Sequence, residues 1–140
     1  MSDAQNTGVV GLADRLWQAA VDRSPIEPLT RIRTDLTVQD AYAIQAHNVR
    51  RRIAAGALLR GRRMGRTSRP RQLVVGTDEP DFGVLLDDMF LDEGDTIPLE
   101  LFVQPRLVAT IAFVLATDLA GPGVTIADAL TAVAGVMPAM

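Results

Sequence analysis

The feature that most constrains the fold is a change of pattern near residue 60. Before it, apolar residues recur at helical spacing over residues 7–22 and again over residues 37–56, with polar residues on the opposite faces. After it, glycine and proline interrupt the chain every few residues, as they do between short strands. Helices followed by short strands predict an α+β fold rather than alternating α/β units.

The length of the chain, 140 residues, suits one domain with a buried core, so we predict a single domain over residues 1–140. Its parts are a helical region (7–56), a β-rich region (62–120) and a C-terminal helix (125–134). Residues 107–115 form a nearly continuous apolar run rich in β-branched side chains. That composition predicts a strand buried on both faces.

Two missing residue types exclude several chemistries. The chain has no cysteine, which excludes disulfides, thiolate metal sites and a cysteine nucleophile. All fourteen basic residues are arginine, so a lysine Schiff base is excluded too, and arginine is a poor proton shuttle. His47 is the only histidine, and we interpret it as a surface or partly packed helical side chain rather than a ligand. The sequence contains no serine-nucleophile elbow, P-loop or dinucleotide fingerprint.

The charges are segregated along the chain. Nine arginines lie between residues 50 and 71, and nine acids lie between residues 78 and 100. A nucleic-acid patch would explain the basic run, but the run has no interleaved aromatic residues on which bases could stack. We therefore interpret it as a solvated helix end and loop, neutralised in part by the acids. Without a secretory signal or a membrane-length apolar run, the sequence predicts a cytoplasmic protein.

Seven short strings are informative in combination. They are residues 36–45 (LTVQDAYAIQ), 61–68 (GRRMGRTS), 76–83 (GTDEPDFG), 86–89 (LDDM), 104–106 (QPR), 111–115 (IAFVL) and 118–122 (DLAGP). In this order and spacing they resemble the 2-keto-4-pentenoate hydratase and 4-oxalocrotonate decarboxylase group of the fumarylacetoacetate hydrolase superfamily. The resemblance covers about residues 8–140 of this chain, which are similar to the N-terminal half of the longer family members. It implies an incomplete fumarylacetoacetate-hydrolase-like mixed β fold.

The resemblance implies chemistry on 2-oxo or 2-hydroxydienoate acids with a divalent cation, magnesium or manganese, which stabilises enolate charge. Two carboxylate ligands of the group come from a strand reading Pro-Arg-x-Glu-x-Glu, whose spacing puts both on one face. Here Val108 and Thr110 occupy those ligand positions, and the third carboxylate is expected just beyond Met140. Arg63 replaces a lysine of the group, and Arg66 replaces a leucine. We therefore expect no metal cofactor in this chain.

The residues that remain could still bind an anion. The resemblance places Arg63, Thr67 and Ser68 in a loop aimed at the substrate, and Asp81 at an acidic pocket position. Asp81 is either a general base or a turn acid that accepts backbone amides. Arg106 either clamps a carboxylate or pairs with a nearby acid. The candidate catalytic residues are thus Asp81 and Arg63, and the candidate substrate-binding residues are Arg63, Thr67, Ser68 and Arg106.

Two functions follow from this set. One is a hydratase-like protein that binds a small 2-oxo or 2-hydroxydienoate-type acid, with its metal-dependent activity lost or altered. The other is a non-catalytic pseudoenzyme or interaction subunit that pairs with a full-length homologue. Because half a fold leaves apolar surface and strand edges open, we expect a homo-oligomer or a complex with a longer homologue. A small carboxylate-bearing ligand is the other expected partner, and neither membrane nor nucleic acid is expected.

Overall fold

The computed structural model describes residues 8–75 and 78–140 and has the predicted α+β composition. The helices are α1 (Val9–Val21), α2 (Leu29–Ile32), α3 (Val38–Ala54), α4 (Arg69–Val75) and α5 (Ile126–Ala132). The strands are β1 (Leu59–Gly65), β2 (Asp81–Leu86), β3 (Thr110–Leu115) and β4 (Val133–Ala139), and single 3-10 turns span Asp87–Met89 and Leu99–Leu101. These elements form two compact units, a first unit that ends at Val103 and a second unit from Gln104 to Met140. The single domain over residues 1–140 stays a prediction.

Packing of α1 against α3 forms the core of the first unit. Leu12 and Ala13 of α1 and Ile44 of α3 are buried together. Partly buried apolar side chains surround them: Val9, Leu29, Ile32 and Leu36. Both helices were predicted from their periodicity, although the predicted start at residue 7 lies outside the described residues. His47 on α3 is half-buried, in agreement with its interpretation as a partly packed side chain.

The start of α3 is fixed by a local hydrogen-bond pattern. The amide of Asp40 donates to the hydroxyl of Thr37 at 3.1 Å, and the amide of Thr37 donates to Asp40 Oδ2 at 3.0 Å. This is the capping box expected from threonine followed three residues later by an acid. The guanidinium of Arg33 also donates to Asp40, at 2.7 Å. The Thr37 amide and hydroxyl, followed by Arg33, hold the pKa of Asp40 below its usual value.

The four strands form two separate antiparallel pairs. In the first unit β1 pairs with β2, which sets Arg63 opposite Gly83 and Gly65 opposite Asp81. In the second unit β3 pairs with β4, which sets Phe113 opposite Val136. We call this second pair the β3–β4 ribbon. α5 begins at Ile126 as predicted but ends at Ala132, where the chain turns directly into β4.

The prediction of a strand buried on both faces over residues 107–115 is wrong. Strand β3 begins only at Thr110, and its large apolar side chains are exposed, with Ile111 at 64% and Phe113 at 62%. The β-branched run correctly indicated extended structure. Burial of its faces, however, requires other elements to cover them, and in the second unit β3 is hydrogen-bonded only to β4.

No helix within residues 8–75 and 78–140 is long and apolar enough to cross a membrane.

Candidate functional site

The β1–β2 pair brings the two candidate catalytic residues to one face. Side chains alternate along a strand, so Arg63 and Gly65 share a face of β1, and Asp81 and Gly83 share the matching face of β2. Since Arg63 stands opposite Gly83 and Gly65 opposite Asp81, Arg63 and Asp81 are diagonal neighbours, roughly 7–8 Å apart at their backbones. Because neither glycine has a side chain, the Asp81 carboxylate can lie over Gly65, and a space remains open beside Arg63 and Gly83.

That space is a pocket of about 190 Å³. It is lined by Gln45, Arg63, Gly65, Asp81, Phe82 and Gly83. Helix α3 supports its wall, because Gln45 Nε2 donates to the Phe82 carbonyl at 3.3 Å and the Phe82 amide donates to the Tyr42 hydroxyl at 3.1 Å. The pocket therefore combines a cation, a carboxylate and a side-chain amide that is hydrogen-bonded to the backbone.

The carboxylate of Asp81 is held in a defined place. It lies across the strand pair over Gly65, so close that a Cβ at residue 65 would stand 2.0 Å from Oδ1. Its other oxygen, Oδ2, lies 3.3 Å from Nε of Arg66. The turn-acid interpretation expected backbone amides as the partners of this carboxylate, whereas the contact found here is a guanidinium. The general-base role stays a prediction.

The other predicted substrate contacts do not line this pocket. Thr67 and Ser68 are exposed residues between β1 and α4, and the Ser68 carbonyl accepts the Gln72 amide at 3.1 Å. Arg106 is exposed and belongs to the second unit. The substrate-binding roles of all three stay predictions.

Several lining residues were not selected by sequence reasoning. Gln45 was overlooked because periodicity does not distinguish a polar helical residue that lines a pocket from one that faces solvent. Gly65 and Gly83 were treated as turn punctuation, although each faces the pocket from within a strand. All three lie in the quoted strings 36–45, 61–68 and 76–83, which is the signal that could have identified them.

The positions expected to bind a divalent ion do not fit one. Val108 has no donor atom and lies before β3, and Thr110, the first residue of β3, offers one neutral hydroxyl. Across residues 8–75 and 78–140, no group of three or more histidine, cysteine, aspartate or glutamate side chains is placed to hold a metal ion. Hard divalent ions require several oxygen ligands, mostly charged. Val108 and Thr110 do not supply such ligands.

A second, larger pocket of about 320 Å³ is lined in part by an ion pair. It is lined by Trp17, Arg52, Ala55, Ala57, Asp87 and Asp88. Arg52 pairs with Asp88, and the Leu58 amide donates to Asp87 at 2.9 Å and lowers the pKa of that carboxyl.

Intramolecular pairing also accounts for part of the arginine run. Arg52 contacts Asp88 and Arg66 contacts Asp81, so acids of the 78–100 segment neutralise arginines of the 50–71 segment, as predicted. Arg51 lies 4.8 Å from the ring centre of Trp17 and pairs with Asp14.

Comparison with known proteins gives a consistent set of relatives. No protein-family model matches the chain. A 2-hydroxypent-2,4-dienoate hydratase from Pseudomonas putida is 44% identical over 128 residues, which cover 91% of this chain and 58% of the relative. A 2-oxo-hept-4-ene-1,7-dioate hydratase from Escherichia coli is 42% identical and covers 92% of this chain and 48% of its own.

Among solved structures, a 4-oxalocrotonate decarboxylase from Pseudomonas putida G7, complexed with magnesium and adipate, superposes with a TM-score of 0.84. It is 27% identical, and the match covers 99% of this chain and 51% of that one. The chain spans about half the length of the relatives it matches.

Proposed function

We propose that this chain, a homologue of the 2-keto-4-pentenoate hydratase and 4-oxalocrotonate decarboxylase group, is a hydratase-like protein that binds a small 2-oxo or 2-hydroxydienoate-type acid. Its fold is the fumarylacetoacetate-hydrolase-like fold that the short strings predicted. The observation that carries the proposal is the shared pocket of Arg63 and Asp81. The relatives are named for reactions of such acids, and residues of this chain offer complementary groups for one.

The two charged residues have different tasks in the proposal. Arg63 binds the carboxylate of the ligand through paired N–H donors, the geometry in which a guanidinium holds a carboxylate best. Arginine remains protonated at working pH and does not move protons. Of the pocket's charged side chains, Asp81 is therefore the one that can accept a proton from an enolisable ligand.

The substitution of the metal ligands by Val108 and Thr110 limits the chemistry that we propose for this pocket. In the group that the chain resembles, the divalent ion stabilises the charge that builds on the enolate oxygen. Arg63 contributes positive charge at the carboxylate but cannot contact two ligand oxygens of an enolate in the way a metal ion does. We propose that this chain retains ligand binding and has lost or altered metal-dependent hydratase activity.

Ligand titration tests the proposal. The chain is titrated with 2-oxopentanoate and with 2-hydroxypentanoate, stable analogues that lack the diene, and binding is followed by amide NMR. Saturable binding of at least one acid is expected, and Arg63→Gln should weaken it by about ten-fold or more, because a charge-assisted hydrogen bond is lost.

Arg62→Gln is the matched control. Arg62 is the neighbour of Arg63 in β1, stands opposite Val84 and does not line the pocket. Its substitution removes the same charge and should leave the affinity unchanged. Absence of saturable binding by the unmodified chain, or an equal loss in both variants, would contradict the proposal.

A second candidate function is that of an interaction subunit without catalysis. It is favoured by the exposure of large apolar side chains on the β3–β4 ribbon, such as Ile111, Phe113 and Val136. Contiguous apolar surface and free strand edges are typical of surfaces that bind other polypeptides. Sedimentation of the chain alone, and mixed with the full-length Pseudomonas putida hydratase, tests this candidate. A homo-oligomer or co-sedimentation is expected, and a monomer that melts cooperatively and binds no relative would exclude it.

A further inference from the structure

We infer that the ion pair of Arg66 with Asp81 makes the pocket prefer 2-hydroxy acids over the matching 2-oxo acids. The inference rests on the proposed function and narrows its ligand class. It concerns a contact that the family resemblance does not imply, since a leucine is expected where Arg66 stands.

The first step is that the Asp81 side chain, which is 45% exposed, lies over Gly65 and beside Arg66. Its Oδ1 lies over Gly65, where a Cβ would approach Oδ1 to 2.0 Å and Cγ to 3.0 Å. Only a glycine at residue 65 permits this position. Nε of Arg66 lies 3.3 Å from Oδ2. One carboxylate oxygen therefore faces the guanidinium, and the other lies over the glycine on the pocket face of the strands.

The second step is that Arg66 is itself held by the backbone. Its φ of 51° lies in the left-handed region, which is uncommon for residues other than glycine. Gln72 of α4 donates from Nε2 to the Arg66 carbonyl at 2.8 Å and supports this turn. Nε of Arg66 is buried and makes no directed hydrogen bond, so its contact with Asp81 is electrostatic. A backbone strained in this way persists where surrounding contacts favour it.

The third step concerns what the carboxylate can recognise. A deprotonated carboxylate has no hydrogen to donate and can only accept hydrogen bonds. A 2-hydroxyl group, including the enol of a 2-hydroxydienoate, has a hydrogen to donate to it. A 2-oxo group has only lone pairs, which the Asp81 oxygens repel. With the ligand carboxylate bound to Arg63 on the same face, the neighbouring oxygen of the ligand is directed toward Asp81.

The test compares the two pentanoates on the same protein, with each enantiomer of the hydroxy acid titrated separately. The better-bound enantiomer of 2-hydroxypentanoate should bind about ten-fold more tightly than 2-oxopentanoate, the expected value of one net hydrogen bond to a charged group. Asp81→Asn should abolish or reverse this preference, because an amide can donate to the oxo group. Arg66→Leu should reduce the preference, because it releases the carboxylate from its place over Gly65.

Asp78→Asn is the control for charge. Asp78 is exposed, does not line the pocket and loses the same charge on substitution, so the preference should survive. Equal affinity of the unmodified chain for both acids would overturn the inference and leave the proposed function standing. Failure to bind either acid would overturn both. An equal change of preference in the Asp78 and Asp81 variants would attribute the preference to net charge and also overturn the inference. If the Asp81 variant does not fold, the Arg66 variant decides whether the ion pair sets the preference.

Discussion

The two units of the chain differ in the burial of their apolar side chains and in the pairing of their charges. The first unit buries Leu12, Ala13 and Ile44 together and pairs many of its charges, as in the contact of Arg33 with Asp40. In the second unit Ala132 is the buried residue, and the large apolar side chains of the β3–β4 ribbon are exposed.

The same division separates the functional residues. Arg63 and Asp81 belong to the first unit, whereas the positions of the family's carboxylate ligands, Val108 and Thr110, belong to the second. A cation and an acid thus lie in the unit that has a cluster of buried residues, and the substituted ligand positions lie in the other unit.

Catalysis is expected to show the largest effect. Without a metal ion to stabilise the enolate, hydration of 2-hydroxypenta-2,4-dienoate should be slower by orders of magnitude than in metal-dependent enzymes, and insensitive to EDTA. Val108→Glu with Thr110→Glu should not restore it, because two carboxylates alone do not provide the several oxygen ligands that a hard divalent ion requires. The loss of dienoate absorbance, with and without manganese, measures the rate. Fast turnover that depends on manganese would contradict the proposed difference between the two units.

Metal binding is tested directly by calorimetric titration with manganese. No saturable one-to-one binding is expected, because Val108 and Thr110 provide no charge at the ligand positions. Thr110→Ala serves as the comparison. Tight binding that this substitution abolishes would show that the second unit does hold a metal ion at the strand.

Matched leucine substitutions compare the packing of the two units. Leu12→Ala in α1 removes a fully buried side chain and should lower the free energy of unfolding by about 2–5 kcal/mol. Leu130→Ala in α5 removes a side chain that is 72% exposed and should change it by about 0.5 kcal/mol or less. Denaturant unfolding of both variants measures the two values. A large loss for Leu130→Ala would mean that another copy or another chain covers the second unit.

The pH dependence of stability gives the smallest expected effect and compares the two capping boxes. The Thr37 amide and hydroxyl with Arg33 lower the pKa of Asp40, and the Thr125 hydroxyl and amide lower the pKa of Asp128. A carboxyl whose pKa is lowered on folding stabilises the protein above its unfolded pKa, and the stabilisation is lost as the pH falls through the folded pKa.

Stability should therefore decrease as the pH falls below about 4. Asp40→Asn and Asp128→Asn should each flatten this decrease, which thermal melts at a series of pH values would measure. Since Asp40 is also paired with Arg33, its substitution should flatten the decrease more. An unchanged slope in both variants would contradict the assignment of the acid sensitivity to these two caps.

The sequence alone determined the features that depend on neighbours a few residues apart. Periodicity located α1 and α3, and the Thr-x-x-Asp strings that begin α3 and α5 form capping boxes, which join residues only three positions apart. The order of the short strings indicated the family, and the same strings contain Arg63, Asp81 and the substituted ligand positions. These inferences required no knowledge of which distant segments meet.

The tertiary structure decided the features that depend on distant segments. Strand register set Gly65 opposite Asp81 and so created both the pocket and the contact of Arg66 with the carboxylate. Residues 133–134 were predicted as the end of a helix and residues 135–139 had no predicted element, yet residues 133–139 form β4 because β3 supplies the hydrogen-bond partner. The exposure of β3 likewise contradicted the burial that its composition predicted. Register and burial are properties of pairs of segments, so a single stretch of sequence specifies a strand but neither its partner nor what covers it.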